Sequence, residues 1–166
     1  MRLDILSSNL WSSAVHRCKD GLEPDDLCQV ENCPNPQELR NALWLLQQDF
    51  DEQQSLLILS ITHHPIIDLE RICVSLTDGE GNALDSSVVW GMVLLLIKIS
   101  TEADDRMPRV SKILRDLGFK LELFNGYMTE DTAIPQLREG VTDIMIYTLE
   151  FLQKIVKVFR DPLFST

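Results

Sequence analysis

Apolar residues recur every three or four positions along most of the chain, which is the spacing of amphipathic helices. In the C-terminal half they follow this spacing from Val110 to Met128 and again from Ile134 to Phe159, with Phe151 on the second stripe. Such stripes are typical of helices in an antiparallel bundle. The one ambiguous run, Leu56 to Ile61, has no second strand in the sequence to pair with, so it is assigned to a helix. The sequence therefore predicts an all-α fold, a single-domain bundle of about five to seven helices.

Capping residues and turn residues give the predicted boundaries. Ser7 or Ser8 can cap a first helix. The tetrapeptide at positions 35–38, Asn-Pro-Gln-Glu, joins a capping side chain to a proline at the first helical position, which starts another helix. A flexible connector is predicted around residues 21–35, with room for one short turn. A loop is predicted around residues 77–86. The whole chain, 1–166, is then one helical domain.

The segment from Val88 to Ile97 is apolar on all sides. A helix of this kind is buried all round, so the segment is predicted to be the central and most buried helix. Its uncharged run is too short to cross a bilayer. Trp90 lies within it, and Trp11 and Trp44 fall on other predicted apolar faces. All three tryptophans are therefore predicted to pack in the core or at an interface.

Charge limits the classes of partner. The chain has 26 acidic and 15 basic residues and a net charge of −11, which suits neither a nucleic-acid backbone nor an anionic membrane surface. Its thiols are Cys18, Cys28, Cys33 and Cys73. No secretory leader opens the chain, so we predict that the four cysteines are unbridged and that the protein is cytoplasmic.

Candidate chemistry is sparse. The sequence contains no phosphate-binding glycine loop, no nucleophile elbow and no zinc-binding helix motif. The best polar cluster is His63 and His64 with Asp68 and Glu70. Adjacent histidines on a helix point about 100° apart and Pro65 disrupts the turn, so a polar helix end is favoured over a metal or catalytic site. We therefore predict no catalytic residue, no cofactor-binding residue and no metal ligand, and a protein that is not an enzyme.

A last pattern is the order of short apolar motifs along the chain. These are Leu10-Trp11 with Ala14, Leu27-Cys28, Phe50, Leu56, Leu59, Pro65-Ile66-Ile67, Val88-Val89-Trp90-Gly91 and the two long C-terminal helices. The order resembles the helical N-terminal domains of fungal STAND receptors, NLR-like proteins with a NACHT or NB-ARC ATPase, and above all the fungal STAND N-terminal Goodbye domain. Because no ATPase motif follows, the chain is expected to be an isolated domain or a solo relative.

The resemblance implies a non-enzymatic signalling module that works by protein–protein contact when it is clustered. Incompatibility and regulated cell death are outputs of such receptors. The expected partners are proteins, either a further copy of the chain or a downstream signalling protein.

Two other functions are open. One is a membrane-perturbing helical domain of the HeLo type, because residues 1–15 carry enough apolar side chains for an amphipathic contact. Asp4 and the shortage of cations in that segment disfavour a contact with anionic lipid. The other is a helical bundle that binds a small molecule.

Overall fold

In the computed structural model, all regular secondary structure of the described residues is helical. The structure describes residues 2–53, 56, 66–71, 85–102, 106–128 and 135–161. The helices are α1 (Arg2–Asp20), α2 (Pro24–Glu31), α3 (Pro36–Gln48), α4 (Ser87–Ser100), α5 (Arg106–Met128) and α6 (Pro135–Arg160). Residues 66–71 are helical as well. The predicted all-α fold is confirmed.

Helix α4 lies at the centre of the fold. Helices α2, α3, α5 and α6 each pack against it, and α1 packs against α6. Every residue from Val88 to Ile97 is buried, so the prediction of a central apolar helix is confirmed. Burying a large apolar side chain contributes about 1.5–3 kcal/mol relative to leaving it in water. Because this helix buries many such side chains, it contributes much of the stability of the core.

Polar side chains cap the N-termini of two helices. At α3 the Asn35 Oδ1 atom accepts a hydrogen bond from the Glu38 backbone N–H at 2.8 Å, which confirms the predicted cap. At α4 the Asp85 carboxylate accepts from the Ser87 N–H at 3.0 Å. Ser86 occupies the cap position but uses its hydroxyl differently, accepting from the Trp90 indole N–H at 3.3 Å.

The region predicted as a connector, residues 21–35, contains the eight-residue helix α2 where the sequence suggested at most one short turn. Pro24 stands at the first helical position, where its missing N–H costs nothing, so it starts the helix and does not interrupt it. Asp25 and Asp26 follow in the first turn and complement the helix dipole. The loop predicted around residues 77–86 lies outside the described residues except for positions 85 and 86.

The three tryptophans divide into two environments. Trp11 and Trp90 are each 2% exposed, as predicted, and the Trp11 indole N–H donates to the Asp85 carbonyl oxygen at 2.6 Å. Trp44 is 61% exposed, so its predicted packing in the core is wrong, whereas its packing at an interface stays a prediction. Helix α3 turns Leu39 and Leu43 inward, and the residue after Leu43 points about 100° away from that buried face.

Candidate interaction surface between two long helices

A groove separates α5 from α6. Both helices pack against α4, and the space left between them has a volume of about 550 Å³. Apolar side chains from both walls line it, among them Ile113 and Leu117 of α5 and Ile144 of α6. The groove is therefore a product of how the helices are spaced and not of any one sequence motif.

Aromatic side chains of α6 form the outer rim of this groove. Tyr147 is 69% exposed and Phe151 is 43% exposed, and both line the groove. Val158, which is 48% exposed, continues the same helical face, because residues four and seven positions apart share a face. Single exposed apolar residues are ordinary on protein surfaces. A stripe of them along one helix beside an apolar groove is typical of an interaction site.

The buried face of the same helix explains why the exposed stripe is not needed for the core. Helix α6 already buries a full apolar face through Met145, Leu149, Leu152 and Val156. The apolar spacing from Ile134 to Phe159 predicts Phe151 on one stripe with the buried Leu152, because a broad apolar stripe does not show where burial stops. Tyr147 indicates the exposed apolar face of α6 most clearly in the sequence, because it lies outside the stripe of buried residues.

Four charged residues lie along the groove in two matched pairs. Asp116 and Lys120 stand four apart on α5, and Glu150 and Lys154 stand four apart on α6. The local charge is balanced although the chain carries −11 overall. Among the described side chains Asp116, Lys120 and Lys154 make no ion pair. Glu150 lies 3.7 Å from Arg17 of α1 in an exposed pair of the kind that contributes little.

A cluster of ion pairs ties the ends of four elements together. Arg160, at the end of α6, lies 2.8 Å from the buried Asp26 of α2 and 3.5 Å from Glu102, which follows α4. Arg106, at the start of α5, lies 3.6 Å from the same Glu102 carboxylate and 5.9 Å from the ring centroid of Phe159. The first turn of α5 and the last turn of α6 are thus bound to one carboxylate at one end of the bundle.

The polar cluster singled out in the sequence divides in the structure. His63 and His64 lie outside the described residues. Asp68 is buried, whereas Glu70 reaches α3 and forms an ion pair with Arg40 at 2.7 Å. In the described ranges, no group of three or more histidine, cysteine, aspartate or glutamate side chains is placed to hold a metal ion.

Two of the thiols belong to the core. Cys18 and Cys33 are buried, whereas Cys28 is exposed; Cys73 lies outside the described residues. Burial raises the pKa of Cys18 to about 11, although Lys157 and Lys19 oppose the shift. Burial, and to a smaller extent Glu38, raises the pKa of Cys33 to about 11. The Cys33 thiol lies 3.8 Å from the Trp90 carbonyl oxygen. The Cys18 and Cys33 thiols therefore pack as small apolar side chains and do not act as nucleophiles.

None of the described helices combines the length and the apolar character that crossing a membrane requires. Comparison with known protein families, with curated proteins and with solved structures gives no match for this chain.

Proposed function

We propose that this protein is a non-enzymatic signalling module that acts by protein–protein contact, and that the groove between α5 and α6 is its contact surface. The observation that carries the proposal is the exposed aromatic rim formed by Tyr147 and Phe151 on a helix whose opposite face is fully buried. Aromatic residues at the centre of a contact contribute much of its binding energy, and tyrosine is among the residues most enriched there. Apolar grooves between helices are a common docking site for an amphipathic helix.

The charge of the chain supports a contact that forms only on clustering. A net charge of −11 makes separate copies repel, and it makes binding to other acidic proteins slow. Tethering raises the effective concentration of a domain to about the millimolar range without any new contact. A weak surface on an acidic domain is therefore silent when dispersed and engaged when clustered.

The resemblance to the N-terminal domains of fungal STAND receptors indicates where a contact that forms only on clustering would operate. In that setting a receptor ATPase oligomerises in the cytoplasm, and the present domain delivers the output, with incompatibility or regulated cell death as the result. The helical fold and the exposed groove are compatible with such a role.

Forced clustering in a fungal host tests the proposal. The domain is fused to an inducible oligomeriser, and the growth arrest or death of the cells is scored with and without the inducer. We expect a response only with the inducer, and none from a fusion to a strictly monomeric carrier at equal expression. Full output from the monomeric fusion would contradict the proposal.

A second set of variants separates contact from catalysis. His63→Ala and His64→Ala remove the imidazoles, while Asp68→Asn and Glu70→Gln keep the shape of the carboxyl groups. We expect the clustered response to persist in each variant that retains the helical signal and unfolding midpoint of the wild type. Loss of the response in a folded variant would indicate hidden chemistry at this cluster.

Binding of a small molecule is the second candidate function. It is favoured by the volume of the groove, about 550 Å³, which falls within the roughly 300–1,000 Å³ of ligand pockets. The exposed rim favours a larger partner, because a ligand pocket encloses most of its ligand. Native mass spectrometry of the protein purified from its host should show the mass of the chain alone. A stoichiometric adduct that Phe151→Ser abolishes would support the second candidate.

A further inference from the structure

We infer that the occupant of this surface is a second copy of the same chain. The two α6 helices run antiparallel about a two-fold axis that passes between them at the level of residue 152. In this arrangement Glu150 of each copy faces Lys154 of the other. The inference rests on the proposed function, since it names the partner of the proposed contact surface.

The charge pattern of α6 is the first argument. Glu150 and Lys154 stand four positions apart and therefore on one face of the helix. A two-fold axis makes a contact isologous, so that residue i meets residue j and residue j meets residue i. An axis midway between an acid and a base thus forms two opposite-charge pairs, whereas two acids or two bases at these positions would repel. The acid–base spacing of α6 is self-complementary in the antiparallel arrangement.

The apolar positions of α6 independently give the same register. Tyr147 and Val158 are both exposed and lie at nearly equal distances on either side of residue 152. The axis set by the charged pair therefore brings Tyr147 of one copy close to Val158 of the other. It also places the two Phe151 rings beside each other at the centre, where aromatic pairs gain most from leaving water.

The groove supplies a receptacle for the second helix, and its charges do not oppose the contact. Asp116 and Lys120 on α5 balance each other, as Glu150 and Lys154 do on α6. The net charge of −11 on each copy opposes association at long range. The dimer is therefore weak. On association, the exposed Arg17–Glu150 pair, at 3.7 Å, is replaced by the pair between Glu150 of one copy and Lys154 of the other.

Sedimentation velocity of the full chain over a range of concentrations measures the association. The wild type should shift reversibly from monomer towards dimer as its concentration rises. Glu150→Lys and Lys154→Glu each place two like-charged pairs across the axis and should raise the Kd about tenfold. A mixture of these two single variants should associate better than either alone, because the heterodimer restores both opposite-charge pairs. The double variant E150K/K154E should recover wild-type association for the same reason.

Two variants of α5 control for net charge. Glu122→Lys changes the total charge as Glu150→Lys does, and Arg115→Glu changes it as Lys154→Glu does. Both residues are exposed and neither lines the groove. We expect these controls to change the Kd less than twofold, and the mixture of the two to associate no better than each alone.

Three results would overturn the inference. They are a wild type that stays monomeric into the millimolar range, single variants that associate as tightly as the wild type, and a mixture that gains nothing over its components. If any of these is found while forced clustering still triggers the response, the second copy is excluded and the proposed function stands. If the charge-exchange pattern is found but clustering gives no response, the dimer stands and the proposed function fails.

Discussion

Gly91 of α4 lies directly against Val30 of α2. A Cβ atom at position 91 would be 2.7 Å from the Val30 Cα atom and closer still to its carbonyl oxygen. Atoms that belong to a helix backbone cannot move aside as the end of a flexible side chain can. The absence of a side chain at position 91 therefore lets the two helix backbones come together. A glycine inside a helix costs about 0.5–1 kcal/mol relative to alanine, and here the close approach offsets that cost.

Substitution of this glycine tests the close approach. We expect Gly91→Ala to lower the free energy of unfolding by about 1–3 kcal/mol, because the added methyl group forces α2 away from α4. Gly140 of α6 is the matched control, since a Cβ there would meet nothing within 4 Å. Gly140→Ala should stabilise the protein by about 0.5–1 kcal/mol. Urea unfolding measures both, and an equal gain from both substitutions would refute the close packing of α2 on α4.

The two environments of tryptophan give a second comparison. Trp90 is buried in α4 and Trp44 is exposed on α3. Trp90→Ala should cost about 3–5 kcal/mol through the lost burial and the cavity it leaves. Trp44→Ala should change the free energy of unfolding by less than about 0.5 kcal/mol. Similar losses in both variants would show that α3 packs against something on its outer face.

The pair formed by Arg160 and the buried Asp26 should stabilise the junction of α2 and α6. Arg160→Met leaves the Asp26 carboxylate buried without its closest cation, which lies at 2.8 Å. Because Arg160 is partly exposed, we expect a loss of about 1–3 kcal/mol, below the cost of breaking a fully buried pair. The control, Lys157→Met, removes a cation from the same last turn of α6 and should cost little. In the double variant R160M/D26N the two losses should not add; full additivity would mean that the two side chains do not interact.

Because the pKa of each of the two buried thiols is raised, the protein should lose stability in alkaline solution. Cys18 and Cys33 each have a pKa of about 11 in the folded protein, against an ordinary value of 9.0. The folded state thus holds these protons more tightly, so their contribution is complete below pH 9 and disappears as the pH rises through 11. The free energy of unfolding should fall over that range by up to about 2–3 kcal/mol per thiol.

Variants isolate the contribution of the two buried thiols to the alkaline fall in stability. Cys18→Ala and Cys33→Ala should each reduce the alkaline fall in stability, whereas Cys28→Ala, at an exposed position, should leave it unchanged. Equal pH profiles for all three variants would show that the buried thiols do not cause the fall.

Local signals explain which parts of the fold could be predicted from the sequence. The cap at Asn35 and the all-round apolar pattern of Val88 to Ile97 depend on neighbours in the chain, and both were predicted correctly. The exposure of Trp44 was missed because α3 packs only a narrow face against α4. The pairing of Asp26 with Arg160 joins residues 134 positions apart, which no local pattern reveals.

The groove could not be predicted for a related reason. It exists because α5 and α6 both pack on α4 and stand apart from each other, and that spacing depends on the tertiary packing of three helices. In the sequence, Phe151 is one more apolar residue on a long stripe. Only the burial of Leu149, Leu152 and Val156 on the opposite side shows that it faces outward.

The response to forced clustering of surface variants tests most directly whether the clustered domain acts through the α5–α6 surface. Tyr147→Ser with Phe151→Ser removes the aromatic rim, while Trp44→Ser with Leu45→Ser removes two exposed apolar side chains from α3. Both double variants are checked for wild-type helicity and unfolding midpoint before they are clustered in cells. We predict that the rim variant loses the response and that the α3 variant keeps it. A full response from the folded rim variant would show that the clustered domain does not act through this surface.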